Sequence, residues 1–257
     1  MSKGKHVLSS SVGKKLIMSL TGLFLSMFLI VHLVGNLQLF YSDDGKAFND
    51  YAYTMTHFAP IKIVSYLLYA SIIVHAIYAL VLTIANRKAR PVAYASYQGS
   101  ANSTWSSRNM GILGTILLVF IVTHMNHFWW KFHNDQVPYI EYRTDLMTNE
   151  TTVTELSATE FNAFTKYIEG GVEVTKSKNL YKQVEFTFQE WYWVALYVFA
   201  MIAMAFHLIH GFKSAIHTLG FAHKKYAPAI RFIGVWIFGV LIPAGFAAMP
   251  LYFFFVR

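Results

Sequence analysis

Six histidines stand inside otherwise apolar stretches of the chain: His32, His75, His124, His127, His207 and His210. An ionisable side chain among aliphatic and aromatic residues is costly, so each of these positions asks for a chemical reason. A neutral imidazole can serve a hydrogen bond or ligate a transition metal. No cysteine occurs in the chain, which removes disulfides, thiolate nucleophiles, thiolate-bound zinc and cysteinyl iron–sulfur clusters together. No Asp or Glu lies within the same stretches, and a carboxylate-lined proton pump or cation channel is disfavoured. Any redox or metal chemistry falls to histidine.

The elements that hold these imidazoles follow from composition. Of 257 residues, 55% are hydrophobic and 13% charged, and the apolar ones gather in long runs. An all-α integral membrane protein is therefore expected, not a soluble globule or a disordered chain. A span needs about 20 mainly apolar residues, and five segments qualify, roughly 16–40, 61–85, 110–130, 191–218 and 229–256. The first four carry the histidines. The fifth has none, but holds Arg231 near its start and Pro243 inside, which predicts a kink.

Charge orients the spans. The N-terminal arm (Lys3, Lys5, Lys14, Lys15), the second loop (Arg87, Lys88, Arg90, Arg108) and the fourth (Lys213, Lys224, Lys225, with Arg231) hold twelve basic residues and no acid. All thirteen acids lie elsewhere: Asp43, Asp44 and Asp50 in the first loop, and ten between Asp135 and Glu190. The positive-inside rule places the N-terminus inside and Arg257 outside. The net charge of +8 is then a matter of topology, and no nucleic-acid partner is expected.

Residues 131–190 form an external insertion too long for a plain connection. Ser157-Ala-Thr-Glu160 has the pattern of a capping box and predicts a short helix through Ile168. Val184, Phe186 and Phe188 alternate like a short strand or an interfacial segment. There is no internal repeat and no dinucleotide-binding fingerprint.

Depth sorts the histidines. At 1.5 Å per residue, His32 lies about 26 Å from the inner boundary at Lys15, and His124 about 24 Å from Arg108. Both fall in the outer half. His75 is about 20 Å in from Lys62, and His207 about 21 Å in from Trp193; both lie deeper toward the inside. The helices alternate in direction, yet the histidines resolve into two levels of two. Haem iron takes two axial ligands, which facing helices supply, so two stacked bis-histidine haems and an electron path across the bilayer are expected. His127 and His210 are displaced from their neighbours by only about 4.5 Å, and spacing leaves His124 against His127, and His207 against His210, open. Phe24, Phe28, Leu29, Phe120 and Phe206 would pack around the rings. Gly22, Gly35, Gly111, Gly114 and Gly211 would admit a flat ring or close helix packing. His6, His57, His133, His217 and His223 sit at ends or in loops. The competing reading is a haem-free transporter or structural protein, with the imidazoles bridging helices.

Lys14-Lys15-Leu-Ile-Met-Ser-Leu-Thr21-Gly22, running into His32-Leu-Val-Gly35-Asn36-Leu, resembles the first helix of the cytochrome b membrane subunit of succinate dehydrogenase and fumarate reductase. Phe206-His207-Leu-Ile-His210-Gly211-Phe-Lys-Ser214 through Gly220 is similar to the fourth helix of that family, in its five-helix, single-chain, two-haem type. His124 with Met125 and Phe128-Trp129 looks like the third.

The resemblance covers nearly the whole chain except the insertion. It implies that His32 and His124 ligate an outer haem b, and His75 and His207 an inner one. It further implies a bacterial cytoplasmic membrane and, on the inner face, a flavoprotein subunit with FAD and an iron–sulfur subunit with the clusters. A quinone, expected to be menaquinone, would react near the outer haem, with Asn36, Gln38, Asp50 and His57 as candidate residues. Propionates on the inner side would meet Lys14, Lys15 or Arg87. A di-haem anchor of a nitrate reductase or hydrogenase is the alternative within the same chemistry.

Overall fold

The structure is a computed structural model that describes residues 10–89 and 103–257. Lys3, Lys5, His6 and Arg90 lie outside the described residues. The helices in chain order are α1 (Ser11–Phe40), α2 (Lys46–His57), α3 (Ala59–Lys88), α4 (Met110–His133), α5 (Leu180–Phe188), α6 (Trp191–Thr218) and α7 (Ala227–Phe255). A single turn at Trp105–Arg108 precedes α4. All except α2 and α5 are long and apolar enough to cross a membrane, which makes this a multi-pass membrane protein.

Polar residues within these five helices turn back on their own backbone. Thr21 donates to Ile17 O, Ser26 to Gly22 O, Thr83 to Ala79 O and Thr115 to Gly111 O, each at 2.8 Å. A hydroxyl satisfied inside its own helix needs no water, so these residues are tolerated in apolar runs. Two helices change pitch. In α4 the α-helical turns end at His124 and a wider π-helical stretch covers Met125–Trp130. In α7 a π-helical stretch covers Ile233–Leu241, directly ahead of Pro243. A proline ring displaces the preceding turn and brings no N–H; a wider turn just upstream accommodates both.

The insertion corrects the all-α expectation. It contains a four-stranded antiparallel sheet, β1 (Tyr139–Asp145), β2 (Thr151–Leu156), β3 (Thr165–Glu169) and β4 (Val172–Lys178), in the order β2-β1-β4-β3. Val, Ile, Thr and Tyr dominate these strands, as suits a pleated, half-buried surface. The β1–β2 turn is held by Asp145 Oδ1, which accepts from the backbone of Met147 at 2.8 Å and Thr148 at 3.1 Å. The β3–β4 turn is Gly170-Gly171, with φ of +57° and +82°. Both central residues of such a two-residue hairpin need the left-handed region, which glycine enters freely.

The helix expected after Ser157 and the strand expected over Val184–Phe188 are both overturned. Glu160 does reach back to Ser157, accepting from its N–H at 2.8 Å and its hydroxyl at 2.6 Å, but no helix follows and the chain enters β3. The Val184–Phe188 stretch is helical, within α5. Its start is capped by Asn179, whose Oδ1 accepts from Lys182 N at 3.0 Å.

Contacts divide the chain into two compact units. Unit one comprises Met1–Val31, Ser65–Phe120 and Val198–Ala247; unit two comprises His32–Val64, Ile121–Tyr197 and Ala248–Arg257. Their charges differ sharply. The segments of unit one carry twelve Lys and Arg and no acid, and those of unit two carry nine together with all thirteen Asp and Glu.

Within unit two, Asn49 of α2 is 1% exposed and joins the first loop to the insertion. Its Nδ2 donates to Tyr142 Oη at 2.9 Å and Asn179 Oδ1 at 3.1 Å, and its Oδ1 accepts from Tyr181 N at 3.0 Å. Tyr142 in turn donates to Asp44 O at 3.0 Å. Burial, the largest influence, pushes the Tyr142 phenol upward, and the Asp43, Asp50 and Asp44 carboxylates act in the same direction against the Asn49 bond. It stays protonated and remains a donor.

Candidate functional site

Histidine rings meet in two pairs, one within each unit. In unit two, His32 of α1 faces His124 of α4 with ring centroids 5.9 Å apart and planes at 89°. In unit one, His75 of α3 faces His207 of α6 at 6.3 Å and 62°. All four residues are half-buried. A metal-bound imidazole nitrogen lies about 2 Å from its metal, and the ring centre roughly 1 Å farther back, so two opposed ligands of one metal have centroids roughly 6 Å apart. Both pairs fit that separation. Among the described residues no group of three or more His, Asp or Glu side chains gathers as a ligand set. Two axial ligands are what a metal already held by a macrocycle requires.

The hydrogen bonds around the unit-one pair bear on its chemistry. Thr21 Oγ1 lies 3.1 Å from His75 Nδ1, and its own hydrogen is directed to Ile17 O at 2.8 Å. The hydroxyl therefore accepts from His75 Nδ1–H, which leaves the Nε2 lone pair available for a metal, as an outer hydrogen bond does for a ligating histidine. His207 Nδ1 is buried with no hydrogen-bond partner among the described residues. Glycines lie against both rings. A Cβ on Gly22 would stand 3.2 Å from His75 Cε1, tighter than ordinary contact, and one on Gly114 would stand 3.8 Å from His207 Cε1.

The unit-two pair is enclosed differently. The His124 ring lies 5.2 Å from Phe128 and 6.0 Å from Tyr197, centroid to centroid. His127, in the π-helical stretch, is engaged elsewhere: its Nδ1 is 3.0 Å from Tyr197 Oη and its ring stands 4.3 Å from Trp193. Sequence reasoning singled out neither Tyr197 nor the supporting role of Thr21. The available signal was that a tyrosine or threonine within an apolar span needs a partner for its hydroxyl.

Of the four quinone candidates, Asn36 donates to His32 O at 2.7 Å and its Nδ2 lies 3.3 Å from His32 Nδ1. Gln38 donates to Gly35 O at 3.2 Å. Asp50 pairs with Lys46 at 3.5 Å. His57 stacks on Tyr53 with centroids 4.1 Å apart and holds Tyr53 O at 2.9 Å from its Nδ1. Asn36 thus adjoins a paired histidine, whereas Gln38 is engaged within α1 and Asp50 and His57 within α2. Of the remaining histidines, His133 stacks on Trp129, His223 accepts from Lys225 N at 3.2 Å, and His217 is exposed.

No protein-family model, no curated protein and no solved structure matches the chain.

Proposed function

We propose that the chain is the di-haem cytochrome b membrane anchor of a succinate:quinone oxidoreductase of the succinate dehydrogenase and fumarate reductase class. In this reading it passes electrons between the iron–sulfur subunit of a peripheral flavoprotein assembly and a membrane quinone. The observation that carries the reading is the pair of opposed imidazoles in each unit, with centroids 5.9 and 6.3 Å apart. The likeness of the α1 and α6 sequences to that family supports the class of complex. The charge asymmetry supports an N-terminus inside, the face on which the resemblance puts the partner subunits.

His32 with His124, and His75 with His207, would each hold one haem b by its two axial positions. Bound haem supplies a one-electron carrier. The chain's own residues do the rest. Thr21 keeps the His75 proton on Nδ1 and the ring in a fixed orientation. Gly22 and Gly114 leave the ring edges of His75 and His207 free of side chains. Phe128 and Tyr197 flank His124 and keep water from that ring. On this geometry Asn36 is the first residue to examine for a quinone headgroup, because its amide already adjoins His32.

The purified chain should give a low-spin b-type band in a dithionite-reduced minus oxidised spectrum, with two haems per chain. Single replacement of His32, His75, His124 or His207 by alanine should reduce that content to one, whereas His127→Ala and His210→Ala should retain two. A haem-free protein, or unchanged content in all four ligand variants, overturns the haem assignment. Co-purification with flavoprotein and iron–sulfur subunits, and succinate:quinone activity of that assembly, test the remainder.

A further inference from the structure

Unit one carries cations without internal counter-ions. Its segments hold no Asp or Glu, and the seven described ion pairs all fall in unit two. Two of these cations, Lys224 and Arg231, edge one groove at the start of α7, a cavity of about 670 Å³ walled by Pro228, Phe232, Val235 and Trp236. Pro228, Arg231 with Phe232, and Val235 with Trp236 recur every three to four residues and so share one face of the helix. From Pro228 to Trp236 that face runs about 12 Å along the axis. The cations stand toward its start and the indole at its far end. Phe232 and Trp236 are both more than half exposed, at 58% and 56%.

We propose that this groove is a binding site for an anionic phospholipid, with the headgroup phosphate between Lys224 and Arg231 and the first part of an acyl chain along Phe232, Val235 and Trp236. Topology alone accounts for basic residues in this loop. It does not account for two of these cations sharing one cavity above an apolar strip. A guanidinium gives phosphate two parallel hydrogen bonds, and an ammonium adds a point charge. Free phosphate would use the cations and leave the strip uncovered, whereas a lipid fills both parts. The inference is independent of haem.

The test is native mass spectrometry of the full chain in detergent, titrated with phosphatidylglycerol or with phosphatidylcholine. Phosphatidylglycerol should bind preferentially. Lys224→Gln, in the exposed turn before α7, should weaken that binding about fivefold, and the Lys224→Gln/Arg231→Gln pair by roughly 25-fold. Phosphatidylcholine binding should not change. Lys213→Gln, a basic residue outside the groove, should bind phosphatidylglycerol as the parent does. Equal losses in Lys213→Gln and Lys224→Gln would reduce the effect to general charge and overturn the site. So would full displacement of phosphatidylglycerol by millimolar inorganic phosphate, or unchanged lipid binding with loss of a co-purifying protein. Haem content, read separately, keeps failure here distinct from failure of the electron-transfer reading.

Discussion

His75 and His207 are supported by helices alone, whereas His32 and His124 belong to the unit that also contains the sheet, α2 and α5. Around the first pair the described supports are a hydroxyl on α1, which bonds His75 at 3.1 Å, and two glycines that leave ring edges clear. Around the second are an asparagine, a phenylalanine and a tyrosine, in a unit closed outside the spans by the Asn49 hydrogen bonds. One pair is thus oriented by contacts local to apolar helices, where a satisfied hydroxyl is worth most because water is absent. The other shares a compact unit with the sheet, α2 and α5, and its geometry should depend on those elements staying folded. Perturbing either kind of support should separate the two sites.

The largest separation is expected from Asn49→Ala. Removal of this side chain leaves the buried Tyr181 N–H without its acceptor and takes one hydrogen-bond donor from each of Tyr142 and Asn179. The cost should be about 2–4 kcal/mol of stability in unit two. On the proposed di-haem reading, a thermal scan of haem-loaded protein, followed by the absorbance of each site, should release the haem assigned to His32 and His124 at a lower temperature than in the parent. Haem held by His75 and His207 should be released at the parent temperature. Equal displacement of both would show that the units do not respond separately, and the comparison would fail.

The membrane half of this contrast was legible in the sequence, because a run of about 20 apolar residues has few alternative fates. Four of the histidines that those runs carry stand in two opposed pairs. The extramembrane half was legible only in fragments. The Glu160 carboxylate accepts from both the Ser157 N–H and the Ser157 hydroxyl, but this half of a capping box does not create a helix when the β-branched Thr165 and Ile168 follow it and pair with β4. The hairpin was written in Gly170-Gly171, between Thr165–Glu169 and Val172–Lys178. That signal is as strong as the one read at Ser157, and it pointed to a strand pair. The Asn49 hub was not legible, since its partners are 93 to 132 residues away and no local pattern connects them. His124 and His127 were left open on spacing because they differ by only about 4.5 Å in depth; in the structure the His124 ring stands against His32, and the His127 ring against Trp193 and the Tyr197 hydroxyl.

A smaller and opposite effect is expected from Thr21→Val, which keeps shape and removes the acceptor for His75 Nδ1–H. Outer hydrogen bonds of this type contribute roughly 10- to 100-fold to metal affinity. The variant should lose haem preferentially from the His75–His207 site and shift the midpoint potential there, with the His32–His124 site unchanged. A redox titration monitored at both sites measures this. Thr21→Ser, which keeps the hydroxyl acceptor and loses only the methyl, should hold the potential near that of the parent. If valine and serine behave alike, the hydroxyl packs against the ring without orienting it, and the two pairs are supported more alike.

The smallest effect is an acid response confined to one unit. Burial pushes the Glu173 carboxyl upward, but the hydrogen bonds and charges of Lys166 and Lys46 outweigh it and hold the group below its ordinary value. Lys46 reaches Glu173 at 3.3 Å and Lys166 at 3.1 Å. A carboxylate with a depressed folded-state pKa contributes stability that is fully present above the unfolded value and is lost as pH falls through the folded one. The pairs should therefore stabilise unit two at neutral pH and cease to do so as pH falls below the ordinary carboxylate range and through the depressed value of Glu173. Because Lys166 is half exposed, screening keeps their contribution below about 1 kcal/mol. A Lys46→Met/Lys166→Met variant should unfold slightly earlier than the parent at pH 7, and the two should converge in acid. Unit one has no carboxylate to protonate, so its unfolding, followed separately, should show no carboxylate-linked step over the same titration. Convergence in unit two together with constancy in unit one would make the difference between the two sites one of charge as well as of architecture, and a parallel acid response at both would dissolve it.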